Sequence, residues 1–196
     1  MIAALVLAAG LSRRMGSPKM LLPWGQTTVV GSVVGALQAA EVPEILVVTG
    51  AVREELEKAL SGRPVRFVHN PEYANGEMLV SLQVGLSALP PACTAALTVL
   101  GDQPQIQPEV VRAVCATAGE HPGALVMPSY QMRRGHPWIL PARLWLEVQA
   151  IRRPQTTRDF LQAHAPEIIY VNVDTPTILM DLDTPEEYQK AVGKGA

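Results

Sequence analysis

The chain is poor in cysteine, in charge and in long apolar runs, and each shortage removes a class of protein. Only two cysteines, Cys93 and Cys115, occur in 196 residues. They share no metal-type spacing, so neither a disulfide scaffold nor a cysteine metal site is expected, and reduced thiols in a cytoplasmic setting are. The net charge is −2 and only 17% of residues are charged. That balance argues against nonspecific nucleic-acid binding and requires any anionic ligand to be held by local cations. No apolar run approaches the roughly 18 residues of a membrane span, and the apolar start lacks the basic n-region of a signal peptide. The dinucleotide fingerprint G-x-G-x-x-G and the P-loop are both missing. No Ser-His-Asp or Cys-His set is evident for nucleophilic catalysis.

What is present is a chain with 48% apolar residues, enough for a substantial core and for one domain over residues 1–196. Ile2 to Leu7, Glu44 to Gly50, Val65 to His69, Ala95 to Leu100, Leu125 to Pro128 and Ile168 to Val173 read as strands. Val29 to Ala40, Arg53 to Leu60, Met78 onward, Pro108 to Ala118, Leu144 to Ala150 and Thr157 to His164 read as helices. Thr27 or Thr28 is the expected N-cap of the first helix. Strands alternating with helices at this spacing predict an α/β fold, with a mainly parallel sheet covered on both sides. Ligands in such sheets sit beyond the carboxyl ends of the strands.

Four stretches carry candidate chemistry. The first strand runs into Ala8-Ala9-Gly10, whose small side chains let a ligand approach the backbone, and Ser12, Arg13, Arg14 and Lys19 follow. This is a candidate triphosphate cradle, with backbone N–H groups and the cations Arg13 and Lys19 facing the phosphates; an ordinary strand-to-loop connection is the alternative. In Asn70 to Leu86, a base can lie over Gly76 with Ser81 bonding to it or to the ribose, unless the two are only a turn and a helix start. Gly101-Asp102 places a carboxylate at the sheet edge, suited to Mg2+ or to a local turn bond. Asp181 and Asp183 alternate along an expected extended segment before a final helix, where Asp183 or Thr184 is the expected cap.

These stretches resemble known blocks in order along nearly the whole chain. Leu7-Ala-Ala-Gly-Leu-Ser-Arg-Arg-Met-Gly-Ser-Pro-Lys-Met-Leu-Leu-Pro23 resembles the signature L-A-A-G-x-S-x-R-M-G-x-x-K-x-L-L-P of Rossmann-like nucleotidyltransferases, and within them is most similar to molybdenum cofactor cytidylyltransferases. Asn70 to Leu86, Gly101-Asp-Gln-Pro104, Gly135-His-Pro137 and Asp181-Leu-Asp-Thr-Pro-Glu-Glu-Tyr188 resemble later blocks. Glu77 departs from the pattern, standing between the glycine and Met78.

The resemblance implies a three-layer α/β/α fold and Mg2+-dependent transfer of a nucleotidyl group to a phosphate-bearing acceptor. It gives Leu7, Ala8, Ala9, Gly10, Ser12, Arg13, Lys19, Gly76 and Ser81 to the nucleotide. Lys19, Arg13 and Asp102 are the expected catalytic groups. Asp102, with Asp181 favoured over Asp183, is expected to hold the metal. Arg134, Gly135, His136 and Pro137 are expected to face the acceptor, within a part spanning about 130–165. Related guanylyltransferases read Leu-Ala-Gly-Gly where this chain has Leu7-Ala8-Ala9-Gly10. The Ala9 methyl narrows the space beside the base and favours CTP, with a molybdopterin-type acceptor. The rival readings are another phosphorylated acceptor, a guanylyltransferase, and a protein that delivers cofactor to a molybdoenzyme partner.

Overall fold

The first strand, β1 (Ile2–Ala8), is apolar on both faces because it lies at the centre of the sheet. Ala4, Val6 and Ala8 point into one core, while Ala3, Leu5 and Leu7 point into the other, as the two-residue period of a strand requires. The computed structural model describes residues 1–74 and 78–193.

The remaining strands are β2 (Pro23–Trp24), β3 (Thr27–Thr28), β4 (Glu44–Thr49), β5 (Arg66–His69), β6 (Ala95–Leu100), β7 (Leu125–Tyr130), β8 (Arg133–Arg134), β9 (Trp138–Pro141) and β10 (Ile168–Asn172). The main sheet has the order β10-β7-β9-β6-β1-β4-β5, with β8 paired to β7, and β2 and β3 form a separate ribbon. β1 pairs in parallel with both β4 and β6, and β9 runs antiparallel between β6 and β7. The sheet is therefore mixed and mainly parallel, as expected. The extended segment after Tyr130 divides into β8 and β9, which both pair antiparallel to their neighbours.

Seven α-helices occur among the described residues: α1 (Val29–Ala39), α2 (Arg53–Ala59), α3 (Met78–Ala88), α4 (Pro108–Glu120), α5 (Trp145–Ala150), α6 (Thr157–Ala163) and α7 (Pro185–Val192). α1, α2 and α4 pack with Val6 and Val47 on one face, through Val33, Leu56 and Val111. α3, α5 and α6 pack with Leu5 and Val48 on the other, through Leu82, Val148 and Phe160. No helix of the described residues is long and apolar enough to cross a membrane.

Caps fix where the helices begin. Thr28 accepts from the Gly31 N–H at the start of α1, and Thr156 with Asp159 forms a capping box at α6. At α7 the box is Thr184 with Glu187. Thr184, rather than Asp183, is thus the cap, and the Asp183 side chain is turned elsewhere.

The chain runs outward from β1 through β4 to β5, then returns to the other side of β1 as β6. The carboxyl ends of β1 and β6 therefore flank the point where the sheet order reverses, the usual ligand crevice of an open α/β sheet.

One edge of the α5–α6 layer is held by charge. His164 bonds through its two ring nitrogens to Glu147 at 2.8 Å and Glu167 at 3.0 Å, and its ring packs on Phe160. The bond to Glu147, and then that to Glu167, outweigh partial burial and raise the His164 pKa above its ordinary 6.5. A raised histidine pKa stabilises the fold fully below the unfolded value, and the contribution fades as pH rises through the folded one. His164→Gln should therefore destabilise the protein at a pH of about 5.5 by up to about 1 kcal/mol, and by less at about 8.5. Denaturant melts of both proteins at the two pH values check this.

Candidate active site

The loop after β1 is closed by its own serine. Ser12 sits at φ 51°, a left-handed conformation that costs a non-glycine residue of order 1 kcal/mol. Its carbonyl accepts from the Met15 and Gly16 N–H groups at 3.0 and 3.2 Å, and its Oγ accepts from the Lys19 N–H at 3.1 Å. Ser12 thus shapes the loop that delivers Lys19. Met15 is buried with Val29 and Leu182, so the loop is also pinned to the carboxyl-terminal segment. A methyl group at Gly10 would meet no atom within 4 Å; no contact within the protein demands glycine there. At Gly50, just past β4, an added Cβ would strike the Ala9 carbonyl, so this glycine lets β4 and the loop lie side by side.

Lys19 is the centre of the cluster. Its Nζ donates to Asp102, just past β6, and to Asp183 Oδ1 at 3.0 Å. Arg14 Nη2 donates to Asp183 Oδ2 at 2.6 Å. The side chains of Lys19 and Asp102 are only 11% and 13% exposed. Burial alone would lower the Lys19 pKa, but Asp102 and Asp183 together raise it, so the ammonium stays charged. Burial works to raise the Asp183 pKa, and Lys19 with Arg14 overcomes it and lowers the value.

Asp181 stands apart from this pairing. Its Oδ1 accepts from Gln103 Nε2 at 2.7 Å, and burial followed by the like charges of Asp102 and Asp183 raises its pKa. The segment carrying both aspartates is irregular rather than a strand. It is held by the Leu182 N–H donating to the Asp102 carbonyl at 3.2 Å and by the buried Leu182 side chain. Among the described residues no three carboxylate, histidine or cysteine groups converge as a complete metal cage.

A cavity of ≈ 200 Å³ opens at the sheet's switch point, lined by Leu7, Ala9, Gly10, Lys19, Ser81 and Asp102 among others. It is smaller than the roughly 300–1,000 Å³ of pockets for drug-sized ligands, a size for part of a nucleotide rather than all of it. Ala8 points into the core beneath it. Ser81 Oγ accepts from Asn70 Nδ2 at 3.1 Å, and Asn70 Oδ1 accepts from the Glu72 N–H at 2.9 Å. Asn70, fully buried, therefore holds the loop in front of α3. Gly76 and Glu77 lie outside the described residues.

The remaining expected site residues are elsewhere. Arg13 does not join the carboxylates. Its Nη2 reaches the Ala74 carbonyl at 3.4 Å, and it lines an outer cavity with Gly10 and Tyr73. Arg14 is the guanidinium in the cluster; the signature's fixed arginine, directly before the methionine, aligns with Arg14 and was the signal for it. Gly135 packs so closely on Ile178 that a Cβ would strike the Ile178 carbonyl, and that carbonyl accepts from the His136 N–H at 3.0 Å. Burial pushes the His136 pKa down to about 4, so its imidazole is neutral near pH 7. Pro137 is buried beside it. Arg134 donates to the Leu161 carbonyl and to Gln162 Oε1, at 3.5 and 3.3 Å. The structure thus places Gly135, His136 and Pro137 behind the segment that carries the aspartates, and Arg134 against α6.

Comparison with known proteins bears on the chain as a whole. The family described as MobA-like NTP transferase domain matches residues 4–168. The chain is 33% identical to the molybdenum cofactor cytidylyltransferase of Escherichia coli K12, over 95% of this chain and 93% of that protein. Rv0371c of Mycobacterium tuberculosis superposes with a TM-score of 0.85 at 25% identity, covering 98% of this chain and 97% of that one. A manganese complex of Rv0371c superposes at 0.82, with 23% identity and 98% of each chain covered. A nucleotidyl transferase of Methanothermobacter gives 0.84 at 25% identity, covering 99% of this chain and 97% of its own. The family match across residues 4–168, the 33% identity along nearly the whole chain and the shared fold together establish that the chain belongs to the MobA-like NTP transferase family and is a nucleotidyltransferase.

Proposed function

We propose that the protein transfers CMP from CTP to the terminal phosphate of a molybdopterin-type acceptor, with Mg2+ as the divalent ion and pyrophosphate as the leaving group. The observation that carries the reaction type is the Lys19 ammonium shared by Asp102 and Asp183 at the edge of the base-sized cavity. Asp102 and Asp183 both reach the one Lys19 Nζ, so two carboxylates converge at a single point beside the cavity. Mg2+ takes one or two carboxylates together with substrate phosphates, so the missing three-residue cage is no obstacle. Asp102 and Asp183 are the proposed holders, and Asp181, occupied by Gln103, supports the loop. When bound, the ion would offset charge on the reacting phosphate.

The protein's own groups supply the rest. Lys19 is buried, charged and close to both carboxylates, and it stabilises negative charge at the α-phosphate; Arg14 keeps Asp183 in place. An acceptor phosphate is ionised at neutral pH, so transfer needs position and charge rather than a general base. The neutral, half-buried His136 fits that economy. The cavity lies on the β1 side of Asp102, and β9, β7 and β10 lie on the other. The acceptor therefore approaches from the side of residues 130–165. Kinship with the Escherichia coli cytidylyltransferase supports CTP and the acceptor class, as does the Ala9 methyl in the cavity wall.

Pyrophosphate release with Mg2+ tests this directly. Release is expected with CTP, and not with GTP, ATP or UTP, only when molybdenum cofactor is added; release with GTP would overturn the base assignment. Asp102→Asn and Asp183→Asn should each lower kcat by about a hundredfold or more, and Asp181→Asn by less. A larger loss at Asp181 in steady-state assays would reverse the metal assignment. Ala9→Gly, by widening the cavity, should raise the ratio of GTP to CTP turnover, measured as relative kcat/KM.

A further inference from the structure

We propose that Asn70, just past β5, is a positioning residue for nucleotide recognition: it fixes the Ser81 hydroxyl as a hydrogen-bond donor to an acceptor atom of the base. The inference rests on the reading that a nucleotide base occupies the inner cavity, but not on which phosphorylated compound receives the nucleotidyl group. Asn70 is completely buried, and Ser81 is 7% exposed and lines that cavity. The backbone holds Asn70 in place. Its N–H donates to the Thr49 carbonyl at 2.9 Å, extending the β4–β5 ladder past His69, and its carbonyl accepts from the Tyr73 N–H at 3.4 Å. Leu82, next to Ser81 on α3, is buried with Leu5 and Val48, so both ends of the Asn70–Ser81 bond stand on the packed sheet.

The direction of that bond follows from the partners of the amide. An asparagine amide has an oxygen that accepts and an NH2 that only donates. The Glu72 N–H can only donate, so the atom that it meets at 2.9 Å is Oδ1, and the other end of the amide, Nδ2, faces Ser81 Oγ at 3.1 Å. Nδ2 has no lone pair to offer, so Ser81 Oγ must accept. One lone pair of the hydroxyl is thereby engaged, and its proton is left for the cavity that Ser81 lines. Accepting one bond also polarises the O–H and strengthens the bond that it donates. Cytosine offers a ring nitrogen and a carbonyl oxygen as acceptors. A donor already fixed in direction meets such an atom with little further loss of side-chain freedom.

The test is calorimetric binding of CTP with Mg2+ to the unaltered protein, Asn70→Asp, Ser81→Ala and the double variant. A pH of about 8.5 keeps the introduced carboxyl ionised even when burial raises its pKa by about four units. Asn70→Asp keeps an oxygen for the Glu72 N–H but turns a second acceptor on Ser81, which draws the hydroxyl proton back and leaves lone pairs facing the base. It should weaken binding about tenfold. Ser81→Ala should weaken it about three- to tenfold, and adding Asn70→Asp to Ser81→Ala should weaken it by less than about twofold more. Asn70→Leu, of similar volume and without polar atoms, carries the same cycle if Asn70→Asp does not fold. Equal losses from the change at Asn70 with and without the Ser81 hydroxyl would mean that Asn70 acts only on the loop, and would overturn the proposal. Unchanged affinity in Asn70→Asp would overturn it too. Titration with GTP, ATP and UTP separates this inference from the substrate assignment. Binding of CTP with additive losses removes this inference alone. Binding of another nucleotide in place of CTP removes the base assignment, and the cycle run on that nucleotide then decides this inference. Failure of the unaltered protein to bind any nucleotide overturns both.

Discussion

Lys19 meets one carboxylate 83 residues further along the chain and another 164 residues away, and the site depends on that meeting. Burying these charges is costly, and removing one partner of a buried pair typically costs about 3–5 kcal/mol because the other charge is stranded. The fold therefore has to hold three separate segments in register. Ser12 fixes the loop before Lys19, β6 runs on into Gly101 beside the Leu7 carbonyl, and Leu182 anchors the aspartate segment from below. Leu182 packs with Met15 and Val29, so one small apolar cluster ties the signature loop to the end of the chain. Truncating so buried a leucine to alanine costs about 2–5 kcal/mol in typical cores, comparable with the ion pairs that it positions. Apolar packing and charge pairing are thus coupled here.

The scaffold was largely legible in the sequence because its signals are local. Apolar runs of about six residues make β1, β4 and β6, and the capping threonines sit where the helices begin. The strand order follows less directly, since β8 and β9 are short and their direction is set by partners on β7 and β6. The site was legible in identity more than in geometry. Lys19 and Asp102 follow from a cation and a carboxylate at the ends of buried strands. The choice between Arg13 and Arg14 depends on Asp183, which is 169 residues from Arg14, and the different partners of Asp181 and Asp183 depend on Gln103 and Lys19. No local pattern in a loop reports such distant partners, although alignment with the signature's fixed arginine pointed to Arg14.

Gly135-His136-Pro137 shows how a recognisable motif also serves the scaffold. A histidine in a turn near a phosphate site suggests direct contact. Here burial keeps the imidazole uncharged, its Nε2 has no partner among the described residues, and its backbone N–H is spent on Ile178. Gly135 admits the Ile178 carbonyl at a distance that a side chain would forbid. Ile178 lies in the short helical turn Pro176–Leu179 that leads into Asp181 and Asp183. The motif therefore sets the height of the aspartate segment against β8 and β9.

Charge is close to balanced in the inner cluster, where Lys19 and Arg14 face Asp102 and Asp183. The cluster therefore presents no large unpaired field to an incoming anion. In the proposed reaction, that balance leaves the Lys19 ammonium fixed in place before substrate arrives, so its charge acts on what develops at the α-phosphate without reorganising first. Such a group contributes to faster chemistry rather than to tighter binding alone.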